Sequence, residues 1–416
     1  MPKERIITAI DAGSTKISTV VASLHDNKIS IIGVSGKVPS KGINKGCVVD
    51  IDSAVESISN SLERAERMAG VSVASAFVTV NGSHIESQNS HGVVAVNPQS
   101  SEITPEDVVR VTEAAQAVSF PSSREIIHVI PRDFLVDTTD GIKDPVGMSG
   151  VRLEVETNIV HGAATAMKNL AKCVEQVGVD VEDLVYTGLA SAEAVLTDTE
   201  KELGTVLIDI GGGTTAVMAF LDGSPIYSSV FAIGAKHITS DLAIGLRTRL
   251  EDAEKIKVKL SNESLFSKDD LSLRDEAFDV SEYGLDTDTV PKRFLYEIVN
   301  ARIKEVLNMV ALELSKNNLI GKLPAGAVIT GGGALTVGVE RMAKSILKMP
   351  VRLGRPTGVT GLIDEIQGPE FAATVGAILY GTNMVRSNSL LSFSKGQGKI
   401  NSGFSKLFGK LKSFLP

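Results

Sequence analysis

Two short polar stretches have the residue types that hold nucleotide phosphates. The first is Asp11-Ala12-Gly13-Ser14-Thr15-Lys16, between the apolar runs 5–10 and 17–24. The second is Asp209, near the end of the apolar run 206–210, together with Gly211-Gly212-Gly213-Thr214-Thr215, which the apolar run 216–221 follows. Glycine lets backbone N–H groups approach a phosphate, the hydroxyls and Lys16 add donors, and an aspartate can hold hydrated Mg²⁺.

The same local pattern therefore occurs twice, with the two aspartates 198 positions apart. Each copy predicts a strand, a glycine-rich tip and a returning strand. One tip alone is weak evidence because such turns are common, but two copies predict two related domains that face one nucleotide. The chain has no G-x-x-x-x-G-K-[ST] motif. The spacing Gly211-x-Gly213-x-x-Ala216 matches the dinucleotide-binding motif, but that motif must open a helix. The residues after it here are apolar and predict a strand, so we do not interpret it as a dinucleotide site.

Two further stretches could contact the nucleoside. Residues 241–260 have the pattern of one helix, with Glu254 and Lys257 three apart on one face. A solvated charged face is the alternative. The apolar run 327–330 is followed by Gly331-Gly332-Gly333-Ala334, which opens a predicted helix at 335–347. These glycines would let backbone lie flat against a purine, although a simple strand-to-helix turn has the same sequence.

Composition excludes several classes of function. The chain has 416 residues, enough for two or more domains, and Cys47 and Cys173 have no metal-like spacing. We expect a reducing cytosol, no protein-built metal site, no signal peptide and no membrane-spanning helix. The whole chain has a net charge of −8, and residues 386–416 alone carry a charge of +6. The remaining body therefore has a net charge of −14. An acidic body argues against nucleic-acid binding.

Three other regions complete the predicted body. Residues 82–162 combine short strands with one helix at 104–118, and are either a decorating insert or a small interaction module with its own core. Residues 370–385 predict the last helix of the body. Residues 291–317 predict one long helix, whose apolar positions are Phe294, Ile298, Ile303, Leu307, Val310 and Leu314.

The C-terminal segment has the composition of a membrane anchor. Residues 386–402 are rich in Ser, Gly, Asn and Lys and predict a flexible linker. In residues 403–416, helical spacing gathers one apolar stripe from Phe404, Leu407, Phe408, Leu411, Phe414 and Leu415. Outside or beside it lie Lys406, Lys410 and Lys412. An in-plane membrane helix is favoured over a helix docked on the body. One such tail would bind weakly, so we expect self-assembly to strengthen binding.

Together these residues resemble the motifs of the actin-like ATPase superfamily, in the order first phosphate hairpin, second phosphate hairpin, ribose helix and adenosine turn. Within it, the chain is similar to the FtsA family of bacterial cell-division proteins across nearly its full length. The insert, the motif order and the basic amphipathic C-terminus carry this resemblance. It implies an α/β fold of the actin-like type, a duplicated ribonuclease-H-like fold. That fold has two domains, a nucleotide cleft, an inserted small α+β subdomain and a C-terminal amphipathic helix.

The resemblance also implies subdomain borders. These are 1–82, 163–204 and 376–385 for 1A, 83–162 for the inserted 1C, 205–236 and 320–375 for 2A, 237–319 for 2B, 386–402 for the linker and 403–416 for the membrane-targeting helix.

Roles for single residues follow from the same resemblance. The first phosphate loop would be Asp11, Gly13, Ser14, Thr15 and Lys16, and the second Asp209, Gly211, Gly212, Gly213, Thr214 and Thr215. Asp11 and Asp209 would hold Mg²⁺ through waters, with ATP as the nucleotide. Glu254 and Lys257 would contact the ribose, and Gly331, Gly332, Gly333 and Ala334 the adenosine.

Partners are implied as well. Members of the family polymerise on the inner face of the cytoplasmic membrane at the division site. They bind anionic lipids, tether the tubulin-like FtsZ and recruit later division proteins. Arg293 and Arg302 in 2B would meet the acidic C-terminal peptide of FtsZ.

One departure bears on hydrolysis. Superfamily chaperones carry Glu-Pro-x-Ala-Ala-Ala, whereas here the corresponding stretch is Leu189-Ala190-Ser191-Ala192-Glu193-Ala194, with the glutamate shifted. We therefore expect weak ATPase activity at most. Three alternatives remain: a PilM-like pilus-assembly protein, which would lack the basic tail; a superfamily kinase, for which no catalytic carboxylate motif is visible; and a chaperone, for which only 31 residues follow the body.

Overall fold

Two antiparallel hairpins form where the sequence predicts them, and each begins the sheet of one domain. They belong to a computed structural model that describes residues 5–26, 28–97, 101–264 and 276–393. The strands are β1 Arg5–Ala12, β2 Lys16–His25, β3 Lys28–Val34, β4 Val38–Pro39, β5 Ile43–Asn44, β6 Cys47–Val48, β7 Ser75–Val80, β8 Glu86–Ala95, β9 Arg124–Val136, β10 Thr139–Ile142, β11 Arg152–Ala163, β12 Asp180–Tyr186, β13 Thr205–Ile210, β14 Thr215–Leu221, β15 Ser224–Phe231, β16 Ala277–Asp279, β17 Thr289–Pro291, β18 Gly326–Thr330, β19 Val351–Leu353 and β20 Thr360–Gly361.

Ten helices surround these strands in the described ranges. They are α1 Ile51–Ala69, α2 Pro105–Gln116, α3 Ala164–Glu175, α4 Thr187–Val195, α5 Asp198–Leu203, α6 Ala235–Leu246, α7 Leu250–Ser264, α8 Lys292–Lys316, α9 Val339–Leu347 and α10 Ala372–Phe393.

The two domains repeat one strand order. In the first sheet β3, β2 and β1 are antiparallel, and β7 and then β12 continue parallel to β1. In the second sheet β15, β14 and β13 are antiparallel, and β18 and then β19 continue parallel to β13. The duplication predicted from the two hairpins is therefore confirmed at the level of strand order.

Three apolar cores lie in the described residues. The first packs Ile10 and Val78 of the first sheet with the helices around them, and it also includes Leu207 and Met218 from the second sheet. The second packs Ile208 with helices α6, α7 and α8. The insert has a third core, in which Val108 of α2 faces Phe134 of its sheet. Apolar burial is the main favourable term in folding, so three cores describe two domains and a small module.

The insert extends the sheet of the second domain. Its strands β8, β11, β9 and β10 are antiparallel neighbours, and β8 also pairs with β15, where Ser229 faces Glu86. Its helix α2 begins as predicted at a capping box, in which Thr104 and Asp107 bond each other's backbone N–H.

Two helix predictions are wrong in their boundaries. The segment predicted as one helix at 241–260 forms α6 and α7, because Arg247 adopts a left-handed conformation with φ 53° and ends α6. The helix predicted at 335–347 begins later, at Val339. A 3₁₀ turn, Gly332–Leu335, precedes it, and Gly338, with φ 82°, separates the two.

Two predictions toward the C-terminal half also change. In α8 the apolar stripe is rotated at its N-terminal end, because Leu295 and Val299 are buried while Phe294 is 41% exposed. Helix α10 continues through Arg386 to Phe393, so the first part of the predicted linker is helical. The rest of the linker and the predicted anchor helix lie outside the described residues. Among those described, no helix is long and apolar enough to cross a membrane.

Candidate functional site

Both predicted tips close with the same hydrogen bond. The N–H of Gly13 donates to the carbonyl of Lys16 over 3.0 Å, and the N–H of Gly211 donates to the carbonyl of Thr214 over 2.8 Å. In both hairpins this turn begins two residues after the aspartate of the first strand. The two tips therefore share one backbone geometry as well as one sequence pattern.

A hydroxyl from a neighbouring element fixes each aspartate. Thr79 on β7 donates to Oδ1 of Asp11, and Ser191 on α4 donates to Oδ2 of Asp209, each over 2.6 Å. Asp209 is 6% exposed, and burial is the main reason that its pKa rises to about 6. The hydrogen bond from Ser191 and the charge of Lys16 oppose this rise, whereas the charge of Asp11 adds to it. The two carboxylates are thus near enough to interact electrostatically.

The tips touch one another. A Cβ at Gly213 would lie 2.7 Å from Oγ of Ser14, and a Cβ at Gly212 would collide with Thr15. Only glycine lets the second tip come this close to the first. The structure therefore places the two glycine-rich tips in contact, one from each domain.

Two hydrogen bonds hold this contact from the side of the first domain. The hydroxyl of Ser14 accepts the N–H of Gly46 over 2.9 Å. The amide of Asn81, at the end of β7, donates to Oγ1 of Thr214 over 3.1 Å. Asn81 is a site residue that the sequence did not reveal, because it lies 133 positions from its partner.

Lys16 extends from the first tip toward the start of α10. Its ammonium lies 4.4 Å from the ring centroid of Phe371. Burial lowers the pKa of Lys16, although the charges of Asp11 and Glu370 oppose that change. Glu370 in turn pairs with Lys37 over 2.7 Å. A lysine held here by charge and by an aromatic face can meet a phosphate without a long rearrangement.

The predicted ribose pair lies on α7 and connects with the second tip. Lys257 bonds Glu254 over 2.7 Å, and it also donates to Oγ1 of Thr239 over 2.9 Å. Thr239 also donates to Glu254. Helix α6, which carries Thr239, begins on the second tip, because the N–H of Ala235 donates to the carbonyl of Gly211 over 2.9 Å. One open cavity of about 470 Å³ lies beside Glu254.

The predicted adenosine turn lies against the second aspartate. Gly331 has φ 82°, and any Cβ there would collide with Oδ1 of Asp209. Gly333 fits against Ile210 in a similar way. The hydroxyl of Ser261 on α7 accepts the N–H of Val337, just past the turn, over 3.2 Å. Direct contacts thus link all four motifs, and the region that they border at the domain junction is the cleft.

The donor set fits a hydrated divalent cation. The tips bring two carboxylates whose charges act on each other, and burial of Asp209 adds a cost that a nearby cation would relieve. Among the described residues there is no group of three or more His, Cys, Asp or Glu that could hold a metal directly. Asp11 and Asp209 would therefore act through water molecules, as is common for Mg²⁺.

The two arginines predicted to meet a partner lie on α8 and are already in ion pairs. Arg302 forms a two-point contact with Asp241, at 2.7 and 2.8 Å, and also pairs with Glu305. Arg293 pairs with Glu297 over 2.8 Å. Beside Arg302 is an open groove of about 380 Å³, whose walls include Asp241, Ile244, Gly245, Ile298, Ala301 and Glu305.

Several contacting side chains could not be found from sequence alone. Ser191, Thr79 and Glu370 reach the cleft from elements that are far away along the chain. Their only local signal is a polar residue in an apolar setting, such as Ser191 among alanines. That signal is common in helices that serve no site.

Strand order, duplicated tips and a shared cleft define an actin-like fold. Among solved structures, the chain is similar to the PilM–PilN type IV pilus biogenesis complex, with a TM-score of 0.63 and 16% identity over 90% of this chain and 98% of that chain. It is also similar to MreB5 of Spiroplasma citri bound to AMPPNP, with a TM-score of 0.56 and 13% identity over 94% of this chain and all of that chain. The predicted actin-like fold with its inserted subdomain is confirmed, whereas the predicted C-terminal amphipathic helix lies outside the described residues.

The chain belongs to the FtsA family of cell division proteins. A family model described as cell division protein FtsA matches residues 206–376, and one described as the SHS2 domain inserted in FtsA matches residues 82–161. The chain is 38% identical over 395 residues to FtsA of Pseudomonas aeruginosa, covering 94% of this chain and 92% of that protein. It is 39% identical over 387 residues to FtsA of Bacillus subtilis, covering 93% and 86%. The predicted family is confirmed, and cell division is its process.

Proposed function

We propose that the protein binds ATP with Mg²⁺ in this cleft, polymerises on the inner face of the cytoplasmic membrane, and tethers FtsZ there for the recruitment of later division proteins. The observation that carries the proposal is the contact between the two tips, at which the charges of Asp11 and Asp209 act on each other. A solved relative of the same fold, MreB5, holds AMPPNP, which supports a nucleotide in the cleft.

Each part of the cleft has a separate task in this proposal. The backbone N–H groups and hydroxyls of both tips bind phosphate oxygens, and Lys16 neutralises phosphate charge. Asp11 and Asp209 would hold Mg²⁺ by accepting hydrogen bonds from its waters, and the cation would supply positive charge to neutralise the phosphates. Glu254 and Lys257 bind the ribose, and the Gly331 turn supports the adenosine.

Hydrolysis is slow in this proposal, because α4 brings no carboxylate to the tips. Glu193 pairs with Lys201 over 2.8 Å, so it is engaged away from the cleft. At the cleft α4 offers Ser191 instead. ATP then acts mainly as a ligand that favours assembly. Rapid phosphate release by purified protein, abolished in Asp209→Ala, would contradict this part.

The groove on α8 is proposed to receive the FtsZ peptide. Its apolar lining includes Ile244, which is 77% exposed, and Phe294 and Arg302 lie close by. The carboxylates of an acidic peptide would replace Glu297 as the partner of Arg293 and Asp241 as the partner of Arg302. Phe294→Asp should weaken binding of the FtsZ peptide about tenfold in a fluorescence-anisotropy titration. The matched control is Leu312→Asp, an exposed apolar position on the same helix.

Membrane attachment is proposed through residues 403–416, with assembly supplying the avidity that one short tail lacks. Because α10 extends to Phe393, the informative truncation ends at Ser402 and leaves that helix intact. In co-sedimentation with anionic liposomes and ATP, the full chain should pellet and the truncated chain should stay in the supernatant. Equal pelleting of both chains would exclude the anchor.

A further inference from the structure

Helix α4 brings a side chain of the first domain onto the buried carboxylate of the second. Oγ of Ser191 donates to Oδ2 of Asp209 over 2.6 Å, with Ser191 fully buried and Asp209 nearly so. The helix follows directly on β12 of the first sheet and leads through α5 to β13 of the second. The hydrogen bond is therefore a contact across the domain junction.

The backbone around Ser191 is held firmly. Gly376 of α10 packs on Ala190 so closely that any Cβ there would overlap the carbonyl of Ala190. At the start of α4, the hydroxyl of Thr187 donates to the carbonyl of Val80 over 3.1 Å. At its end, the carbonyl of Ala194 accepts the N–H of Thr357 over 2.9 Å. Ser191 therefore cannot follow Asp209 if that side chain turns.

The other carboxylate oxygen of Asp209 also has little room to move. Its Oδ1 lies against Gly331, where even one added carbon would collide. Among the described residues, Ser191 is the one side chain that donates a hydrogen bond to Asp209. The charges of Asp11 and Lys16 act on it in opposite senses. Removing the hydroxyl would thus leave this buried carboxylate without a side-chain donor, and it would turn or draw in water.

We propose that Ser191 is a positioning residue for cation-dependent nucleotide binding: it fixes Oδ2 of Asp209 toward α4, so that the remaining lone pairs point to the tips. A serine hydroxyl has one proton, so this bond uses one acceptor position and leaves the others for waters around a divalent cation. The inference rests on the proposed function. It assigns Ser191 to the cation-dependent share of ATP affinity, not to recognition of the base, ribose or phosphates.

The test measures ATP affinity by titration calorimetry, with Mg²⁺ and with EDTA, for the parent chain, Ser191→Ala, Asp209→Asn and the double variant. Ser191→Ala should weaken binding with Mg²⁺ by roughly tenfold, as for loss of one hydrogen bond to a charged group. Binding in EDTA should stay within about twofold. In the Asp209→Asn background, Ser191→Ala should have no further effect, because the two residues act as one unit.

The matched control is Ser61→Ala, which removes another fully buried serine hydroxyl, one bonded to Thr19 and Ser35 inside the first domain. It should leave both affinities unchanged, which separates a general loss of folding from the proposed role. Equal losses with Mg²⁺ and with EDTA, no loss at all, or full additivity with Asp209→Asn would each overturn the proposal. If the parent chain binds ATP no better with Mg²⁺ than with EDTA, the proposed function itself fails.

Discussion

Asp209 is the residue at which stability and function oppose each other. Its folded-state pKa of about 6 lies above the ordinary value of 3.8, chiefly because of burial. A carboxyl whose pKa is raised by folding favours the folded state at low pH, and that contribution is lost as pH rises through about 6. Above that pH the protein keeps a buried charge that the unfolded chain would hydrate.

Asp209→Asn should therefore stabilise the nucleotide-free protein at pH 7.5 by as much as about 3 kcal/mol, because folding raises the pKa of Asp209 from 3.8 to about 6. The gain should shrink as pH falls from 6 toward 4, where the parent carboxyl is protonated in the folded state. Denaturant unfolding at a series of pH values checks this. A variant less stable than the parent at pH 7.5 would contradict the role of burial.

Gly213 tests the contact between the tips. Its replacement by Ala places a Cβ 2.7 Å from Oγ of Ser14, and Ser14 is buried and bonded to Gly46. Overpacking of this kind costs about 1–3 kcal/mol, and here it destabilises the state in which the two tips are in contact. We expect ATP affinity to drop by roughly tenfold or more in a calorimetric titration.

Gly211→Ala is the control for that experiment. The nearest atom to its added Cβ, the Thr214 carbonyl oxygen, is 3.1 Å away, and the residue belongs to the same tip. Its effect on ATP affinity should be clearly smaller. Equal losses for Gly211→Ala and Gly213→Ala would mean that the closeness of the two tips is unimportant for binding.

Among the helices and strands, those whose residue pattern is confined to a short stretch of sequence are the ones that the sequence predicts correctly. The tips are predictable because the aspartate, the glycines and the flanking apolar runs of each one lie within 20 consecutive residues. The sequence does not predict the break between α6 and α7, because the residue in the left-handed conformation is Arg247 and arginine rarely adopts it. Phe294 was assigned to the apolar face because periodicity cannot tell a buried stripe from a groove that borders it.

The cleft combines residues from short sequence motifs with residues that only the packing of the elements brings to it. Motif residues such as Asp11 and Gly331 belong to short patterns that are visible in one dimension. Ser191, Thr79 and Asn81 reach the cleft through the packing of whole elements. Nothing in their own neighbourhood distinguishes them from other polar residues in helices and strands, so their role appears only in three dimensions.

Helix α5 is joined to β19 by an ion pair. Glu200 caps its first turn with Thr197 and also forms a two-point contact with Arg352 on β19, at 2.6 and 2.7 Å. Arg352 is the main reason that the pKa of Glu200 falls to about 2, with burial acting against it and Thr197 helping. A depressed carboxyl stabilises the folded state above its ordinary pKa of 4.5, and this contribution is lost as pH falls toward 2.

Glu200→Gln should therefore cost about 1–2 kcal/mol at pH 7, after allowance for solvent screening of the partly exposed Arg352. The difference from the parent should narrow as pH falls below 4.5. Chemical unfolding at pH 7 and at pH 3.5 checks both statements. Glu202→Gln, an exposed glutamate on the same helix, should change stability by less than about 0.5 kcal/mol.

At the scale of the whole molecule, the insert joins the two domains because its sheet continues into that of the second. Oγ of Ser87 on β8 accepts the N–H of Ser228 on β15 over 2.7 Å, and Lys143 donates to the carbonyl of Asp222 over 2.6 Å. The seam is incompletely bonded, since Oγ of Ser228, Oγ of Ser229 and Nε of Arg132 are buried without a partner. Unpaired buried polar groups cost free energy, so this seam should open before the three cores do.

Ser87→Ala should loosen that seam alone. The N–H of Ser228 loses its acceptor, so hydrogen exchange in β15 and the start of β8 should quicken by roughly tenfold, while the insert core around Phe134 stays protected. Ser90→Ala is the matched control, because Ser90 lies on the same strand but donates to Ala115 within the insert. Exchange measured by mass spectrometry should separate the two variants. If Ser87→Ala and Ser90→Ala give the same pattern, or if β15 is unaffected, the seam is not the weak point, and the insert moves with the second domain as one body.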